Sequence, residues 1–301
     1  MKQILLLILL TTGSILYAQN TVIVNTKQNE DKTVDFTYEK TVPGNHTLII
    51  TFRSLTNAFY TPTTYILSAP TGRLFSLKPS VKDVGISYSF NYRYIQGELK
   101  PNGVDTSFVY LLPFQKSKVL QALEQSNIDE TFLKQARPKG WKSYQFRGDG
   151  LDSVFAVRKG IVVKVIDEFD YDTASLFTSK TNNVLIEHED GSIAVYKRFI
   201  KGAIAVKEGQ EVYPHSYLGS LGNASVQKNY LSVMIYYLSK TGFDENSRAE
   251  HTFITPVFLT SQGKGTLLSR QKYEVVLSDE VITKEMSRRQ KKEFEKSKTA
   301  N

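Results

Sequence analysis

The sequence predicts a mainly β protein: an N-terminal β-sandwich followed by a larger antiparallel β domain, with a C-terminal helical tail. Three observations carry this. Apolar and polar residues alternate without a break from Ile86 to Tyr94, which places Ile86, Tyr88, Phe90, Tyr92 and Tyr94 on one face of a half-buried strand. Gly160, Gly191, Gly209 and Gly219 punctuate β-branched segments, where tight turns need positive φ or a close backbone approach. The aromatic residues, 17 Tyr and 17 Phe against one Trp, suit pleated and partly buried strands.

At the N-terminus Met1-Lys2-Gln3 leads into the apolar run Ile4 to Leu10, then Thr11-Thr12-Gly13-Ser14, before Ala18-Gln19. One basic residue, a short apolar stretch and a small residue at the cut site predict a signal peptide over residues 1–18, cleaved after Ala18. The run is too short to span a bilayer, which takes about 20 residues. The expected mature chain is exported, periplasmic or extracellular at the cell envelope, with no transmembrane segment. The absence of cysteine excludes disulfides and lipid attachment through an N-terminal cysteine.

Residues 19–114 read as the sandwich. Leu48, Ile50 and Phe52 alternate after the turn signal Pro43-Gly44-Asn45, and Phe108 to Leu112 closes the series before Pro113. Residues 115–140 read as a partly helical linker, with Leu120, Leu123 and Phe132 as docking positions and Pro138-Lys139-Gly140 as a boundary. Residues 141–277 form the second β domain, in which Ile161, Val163 and Val165 are expected to face the core. Residues 278–301 read as a basic helical tail. Asp279 and Glu280 fall in its first turn and Arg288 to Lys292 toward its far end, an order that suits the helix macrodipole. With Val281, Ile282, Met286 and Phe294 as its apolar residues, the tail is expected to be a solvated helix.

A formal charge of +8 permits an anionic partner such as a cell-wall polymer or a membrane surface. Nucleic acid is excluded as the partner of an exported chain whose basic residues are scattered outside the tail. There is no cysteine nucleophile, G-x-S-x-G elbow or phosphate-cradling glycine loop. The acidic stretch Asp167 to Asp172 lacks the spacing and glycine of an EF-hand and reads as an exposed hairpin loop. Arg147-Gly148-Asp149 reads as a turn. His46, His188, His215 and His251 share no ligand-like spacing and read as surface or strand-end residues.

Four blocks carry a family resemblance: Val154 to Val163, Asn183 to Gly191, Val206 to Val212 and Leu218 to Asn223. In this order they resemble the LytM-type (lysostaphin-like) zinc endopeptidases, the duplicated hybrid motif family. Upstream, Tyr92 to Gly97 and Tyr110 to Phe114 look like the lead-in segment of one envelope branch of that family. The resemblance implies a zinc ion held by two His and an Asp, with further His moving protons. At the matching positions this chain carries Trp141 and Gln145 for the first ligand pair, Arg198 after Tyr196 for a catalytic His, and Tyr230 and Ser232 for the last His pair. An indole, an amide and a hydroxyl are poor zinc donors, and a guanidinium repels the ion. The resemblance therefore implies a pseudoenzyme with no catalytic residues, no metal and no cofactor.

Trp141, Gln145, Tyr196, Arg198, Tyr230 and Ser232 are expected to converge on one groove, where Trp141 and Tyr230 either plug the cleft by stacking on Arg198 or form a recognition surface. The expected function is non-catalytic: binding or regulating a cell-wall hydrolase, a peptidoglycan peptide or an envelope protein complex. Two other readings stay open, an active zinc metalloendopeptidase with rearranged ligands and a structural subunit of an outer-membrane or secretion complex.

Overall fold

A computed structural model describes residues 21–125, 140–170, 180–222, 230–241 and 249–299. The expected signal peptide, Phe132 and Pro138-Lys139 lie outside these residues. The chain is mainly β, as the residue pattern predicts.

Six strands build the N-terminal sandwich: β1 (Val22–Gln28), β2 (Val34–Lys40), β3 (His46–Thr56), β4 (Thr64–Leu67), β5 (Thr71–Leu77) and β6 (Ser87–Gln96). One antiparallel sheet has the order β1-β2-β5 and the other β4-β3-β6. Strand β2 shows how the sequence dictates this: Val34, Phe36, Tyr38 and Lys40 are buried while the residues between them are more exposed. Phe36 is the hub of the core, with its ring centroid 4.4 Å from that of Phe75 and 5.2 Å from that of Phe90. The alternating face of β6 extends beyond this core, so Tyr88 and Phe90 pack inside whereas Tyr92 and Tyr94 remain more than a third exposed.

The second body contains β7 (Val109–Leu111), β8 (Val119–Gln125), β9 (Ser143–Arg147), β10 (Ser153–Phe155), β11 (Gly160–Ile166), β12 (Asn182–Glu187) and β13 (Ile193–Phe199). It continues with β14 (Glu211–Val212), β15 (Tyr217–Ser220), β16 (Leu231–Lys240), β17 (Glu250–Phe253), β18 (Val257–Thr260), β19 (Gly263–Gly265) and β20 (Lys272–Glu274). Its large sheet has the order β14-β11-β12-β13-β16-β9-β8-β20, with β17 also pairing β16. The small sheets β10-β15 and β19-β18-β7 lie apart from it. One face of the large sheet, with Tyr144, Phe146, Val184, Ile186, Tyr196, Val233 and Ile235, joins the main apolar core.

Four expectations are corrected. Strand β8 occupies the supposed linker and pairs with β9 and β20. Its Leu, Ala, Gln and Glu are good helix formers, yet Leu120 and Ala122 are buried at strand spacing, and pairing overrides propensity. The segment expected to close the sandwich supplies β7 instead, paired in parallel with β18, because Tyr110 and Leu112 pack into the main core. In β11 a bulge at Val163 shifts the register, so that Val162 and Val165, opposite Ile186 and Val184, face the main core rather than Ile161 and Val163.

The tail, finally, is two helices, α1 (Asp279–Thr283) and α2 (Arg288–Thr299). Val281, Ile282, Met286 and Phe294 dock it against Leu111, Val109 and Leu259. Because α2 starts at Arg288, the basic cluster lies at its N-terminal end, where the macrodipole disfavours cations. Among the described residues, no helix is long and apolar enough to cross a membrane.

Candidate functional site

The groove face of the large sheet is fixed by register. Gln145 on β9 faces Ser232 on β16, Ser232 faces Lys197 on β13, and Lys197 faces Asn183 on β12. Cross-strand partners point to the same side of a sheet, so four polar residues form one row across four strands. Ser143, two residues before Gln145 and fully buried, brings its Oγ 2.9 Å from that of Ser232 and donates to the carbonyl of Val233. Burial lowers the pKa of the Lys197 ammonium, and Lys197 makes no salt bridge among the described residues.

Arg198 reaches this face through a break in the ladder. Asn183 pairs with Lys197 but Asn182 pairs with Phe199, which leaves Arg198 as the extra residue of a bulge with φ of 85°. Phe199 then returns to the main core. The Arg198 Nη1 donates to the Tyr230 hydroxyl at 3.3 Å, and its Cζ lies 4.3 Å from the ring centroid. Arg147, at the end of β9, places its own Cζ 5.1 Å from the same ring and donates to Gln145 Oε1 at 3.0 Å. Tyr230 is thus held by two guanidinium groups, a cation–π arrangement that fixes both Arg side chains beside the polar row.

Of the six residues expected in the groove, Gln145, Arg198, Tyr230 and Ser232 share this region. Tyr196 does not. It pairs with Val233 and Val184, so it points to the opposite face, where it is fully buried and accepts the backbone N–H of Val157 at 2.9 Å. Trp141 packs in an apolar cluster with Ile193, Val195 and Met234, at the flank of the polar row. Lys197 and Ser143 also belong to the site, as does Arg147, which the sequence reads as part of a turn but which is the last residue of β9. Strand periodicity places Ser143 and Gln145 on one side of β9, but the role of Arg147 depends on where β9 ends, and that of Lys197 on which face of β13 meets the core.

The donors in the row do not fit a zinc ion. Two amides, two hydroxyls and an ammonium offer neither imidazole nor thiolate nor carboxylate, and the guanidinium groups add positive charge. Among the described residues, no three His, Cys, Asp or Glu lie close enough to hold a metal. The histidines are occupied otherwise. His46 opens β3 and His188 follows the end of β12, so both are strand-end residues, though buried, and His188 Nδ1 lies 2.7 Å from the carbonyl of Lys159. His215 stacks on Phe155 with centroids 4.4 Å apart, and His251 meets Tyr236 edge-on at 4.7 Å. Asp167 accepts the backbone N–H of Gly202, and Asp170 pairs with Lys201.

No family model and no curated protein sequence matches the chain. Among solved structures, it is similar to the M23 metalloprotease pseudoalterin from the deep sea at 16% identity and a TM-score of 0.27, over 49% of this chain and 95% of that one. It is also similar to Csd3 of Helicobacter pylori at 13% identity and a TM-score of 0.30, over 94% of this chain and 79% of that one. A third likeness is to a protein assigned to peptidase family M23 from Pseudomonas aeruginosa, at 13% identity and a TM-score of 0.25, over 65% of this chain and 90% of that one.

Proposed function

We propose that the chain is a non-catalytic, peptidase-like protein of the cell envelope, and that its groove binds a carboxylate-bearing peptide: a peptidoglycan stem peptide, or an acidic segment of a cell-wall hydrolase or other envelope partner that it regulates. The observation that carries this is the placement of Arg147 and Arg198 against the ring of Tyr230, with Lys197 in the adjoining row. Three cations and two hydroxyls on one face suit an anion. Guanidinium groups already oriented by an aromatic ring lose little freedom on holding a carboxylate through paired hydrogen bonds. Ser232, held at 2.9 Å by the buried Ser143 hydroxyl, lines the same face. The same charges oppose a Lewis-acid metal, and the reading is supported by Gln145, Arg198, Tyr230 and Ser232 standing at positions that the sequence resemblance to LytM-type endopeptidases implies for the metal site.

Isothermal titration with soluble stem peptides carrying free carboxylates, on wild type and on Arg147→Ala and Arg198→Ala, tests the proposal. Binding is expected to weaken by about tenfold or more in each variant, with the melting temperature close to wild type. Unchanged affinity would remove the groove from recognition. Elemental analysis is expected to find no stoichiometric zinc. One zinc per chain, together with peptidoglycan cleavage abolished by a chelator, would replace this reading with that of an active endopeptidase.

A further inference from the structure

The end of the sandwich farthest from the second body carries a feature that the groove does not explain. Strand β3 runs from His46, beside the second body, to Thr56, and eleven residues at about 3.3 Å each put its far end some 30 Å away. Beyond Thr56 the loop Asn57–Tyr60 meets the loop Lys78–Gly85. There Phe59 is 90% exposed, with Val81 at 60% and Val84 at 50%. Scattered exposed apolar residues are ordinary, but three on adjoining loop tips call for an explanation.

These tips are not slack. Asn57, in a left-handed conformation with φ of 61°, clamps the second loop to the first. Its Oδ1 accepts the N–H of Val81 at 2.8 Å, its Nδ2 donates to the carbonyl of Val84 at 2.9 Å, and its own carbonyl accepts the N–H of Ser80 at 2.9 Å. Asn57 thereby satisfies backbone groups of a loop that would otherwise be free to turn its valines inward. The tip is held with its apolar side chains outward. Around them Arg53, Lys78 and Lys82 are exposed beside Asp83, and the adjoining β1–β2 turn adds exposed Glu30, Asp31 and Lys32, which leaves cations in slight excess.

We propose that this tip is a membrane-docking device: Phe59, Val81 and Val84 enter the interfacial region of a bilayer while Arg53, Lys78 and Lys82 engage anionic lipid headgroups. A projecting aromatic with aliphatic neighbours and a basic rim matches the chemistry of an anionic bilayer surface, where apolar burial and electrostatic attraction act together. A protein partner is the poorer fit, because a specific interface buries roughly 800 Å² on each side and is centred on a packed pocket rather than on two narrow loops. Docked this way, the sandwich is a spacer that holds the groove of the second body away from the membrane surface.

Vesicle flotation with the full chain tests this, using phosphatidylglycerol–phosphatidylcholine vesicles beside pure phosphatidylcholine vesicles. Binding is expected on the anionic vesicles, falling with added salt. It should drop by about tenfold in Phe59→Ser and in the double variant Lys78→Glu/Lys82→Glu, all at exposed positions. In Phe59→Trp, an emission blue shift on vesicles beyond that of wild type, which contains Trp141, would report insertion. Three outcomes would overturn the proposal: no binding to either vesicle at low salt; binding that Phe59→Ser leaves intact, which would assign it to another basic surface such as the start of α2; or self-association of wild type that Phe59→Ser abolishes, which would make a second copy the occupant.

Discussion

The side chain of Glu187, at the end of β12, accepts the backbone N–H of Asn45 at 2.8 Å across the seam between the sandwich and the second body. Only 5% of Glu187 is exposed, its Oε1 has no hydrogen-bond partner among the described residues, and Lys40 and His46 are buried nearby. Burial pushes the Glu187 carboxyl up to about 7, opposed by the Asn45 bonds and by the charge of Lys40, while Glu98 adds to the rise. A carboxyl raised in the folded state stabilises the fold fully below its unfolded value of 4.5, and that contribution is lost as the pH rises through about 7. His46 acts oppositely. Burial and the Lys40 charge bring it down to about 4, so its contribution is lost as the pH falls from 6.5 toward that value. Comparison with Glu187→Gln removes the histidine from the balance. Relative to wild type, the variant is expected to be more stable at pH 8.5 than at pH 4.5 by up to about 3 kcal/mol, read from urea unfolding at both pH values. An equal difference at the two pH values would mean that Glu187 does not titrate in this range.

The second seam ties down the tail. Arg158, 2% exposed, meets Asp190 at 2.8 Å and Glu285, between α1 and α2, at 2.7 Å, with its Cζ 3.8 Å from the centre of the Phe108 ring. Arg158→Met would leave both carboxylates largely buried without their cation, a loss expected to cost about 3–5 kcal/mol. It should also release the helices, so that proteolysis after residue 277 quickens. A variant within 1 kcal/mol of wild type, with the tail still protected, would contradict this account.

Two glycines separate close approach from backbone conformation. A Cβ on Gly160 would lie 2.4 Å from the carbonyl oxygen of Glu187 and 2.6 Å from Ile186 Cγ2, and the first of these is backbone that cannot swing away. Gly209 has φ of 83° but nothing within 4 Å. Gly160→Ala is expected to cost about 3 kcal/mol by overpacking, and Gly209→Ala about 1 kcal/mol through its left-handed conformation. The reverse order in chemical denaturation would show that β12 gives way around an added Cβ at Gly160.

How far the sequence revealed the fold follows from these particulars. Alternation over β2 and β6 is a property of single strands, so strand identity was legible. Which sheet a strand joins is not, and β7 left the sandwich for β18 because the partners of Tyr110 lie about 150 residues later in the chain. Strand β8 was hidden by its helix-forming residues. In the groove, Gln145, Tyr230 and Ser232 follow from strand periodicity, whereas the bulge that carries Arg198 inward depends on a mismatch with Asn182 and Asn183 that no local pattern announces.

That bulge also decides what the last variant should do. In a regular strand, Tyr196 and Arg198 would share a face, and Arg198 would point into the core with Tyr196. The register instead puts Tyr196 in the core beneath the sheet, where its hydroxyl is the acceptor for the buried N–H of Val157, while Arg198 joins Tyr230 above. The two residues should therefore separate stability from recognition. Tyr196→Phe removes the acceptor without changing the ring, leaves a buried N–H unsatisfied, and is expected to cost about 1–3 kcal/mol of stability. Its affinity for a carboxylate-bearing peptide should stay within about twofold of wild type, since burial and the sheet itself keep the ring from the groove. Arg147→Ala is expected to do the reverse, with little loss of stability at a strand end and weakened peptide binding. Thermal unfolding and titration on the two variants give four measurements. If Tyr196→Phe weakened binding as much as Arg147→Ala while unfolding at the wild-type temperature, Tyr196 would have to reach the groove, and the pairing of Tyr196 with Val233 would be wrong.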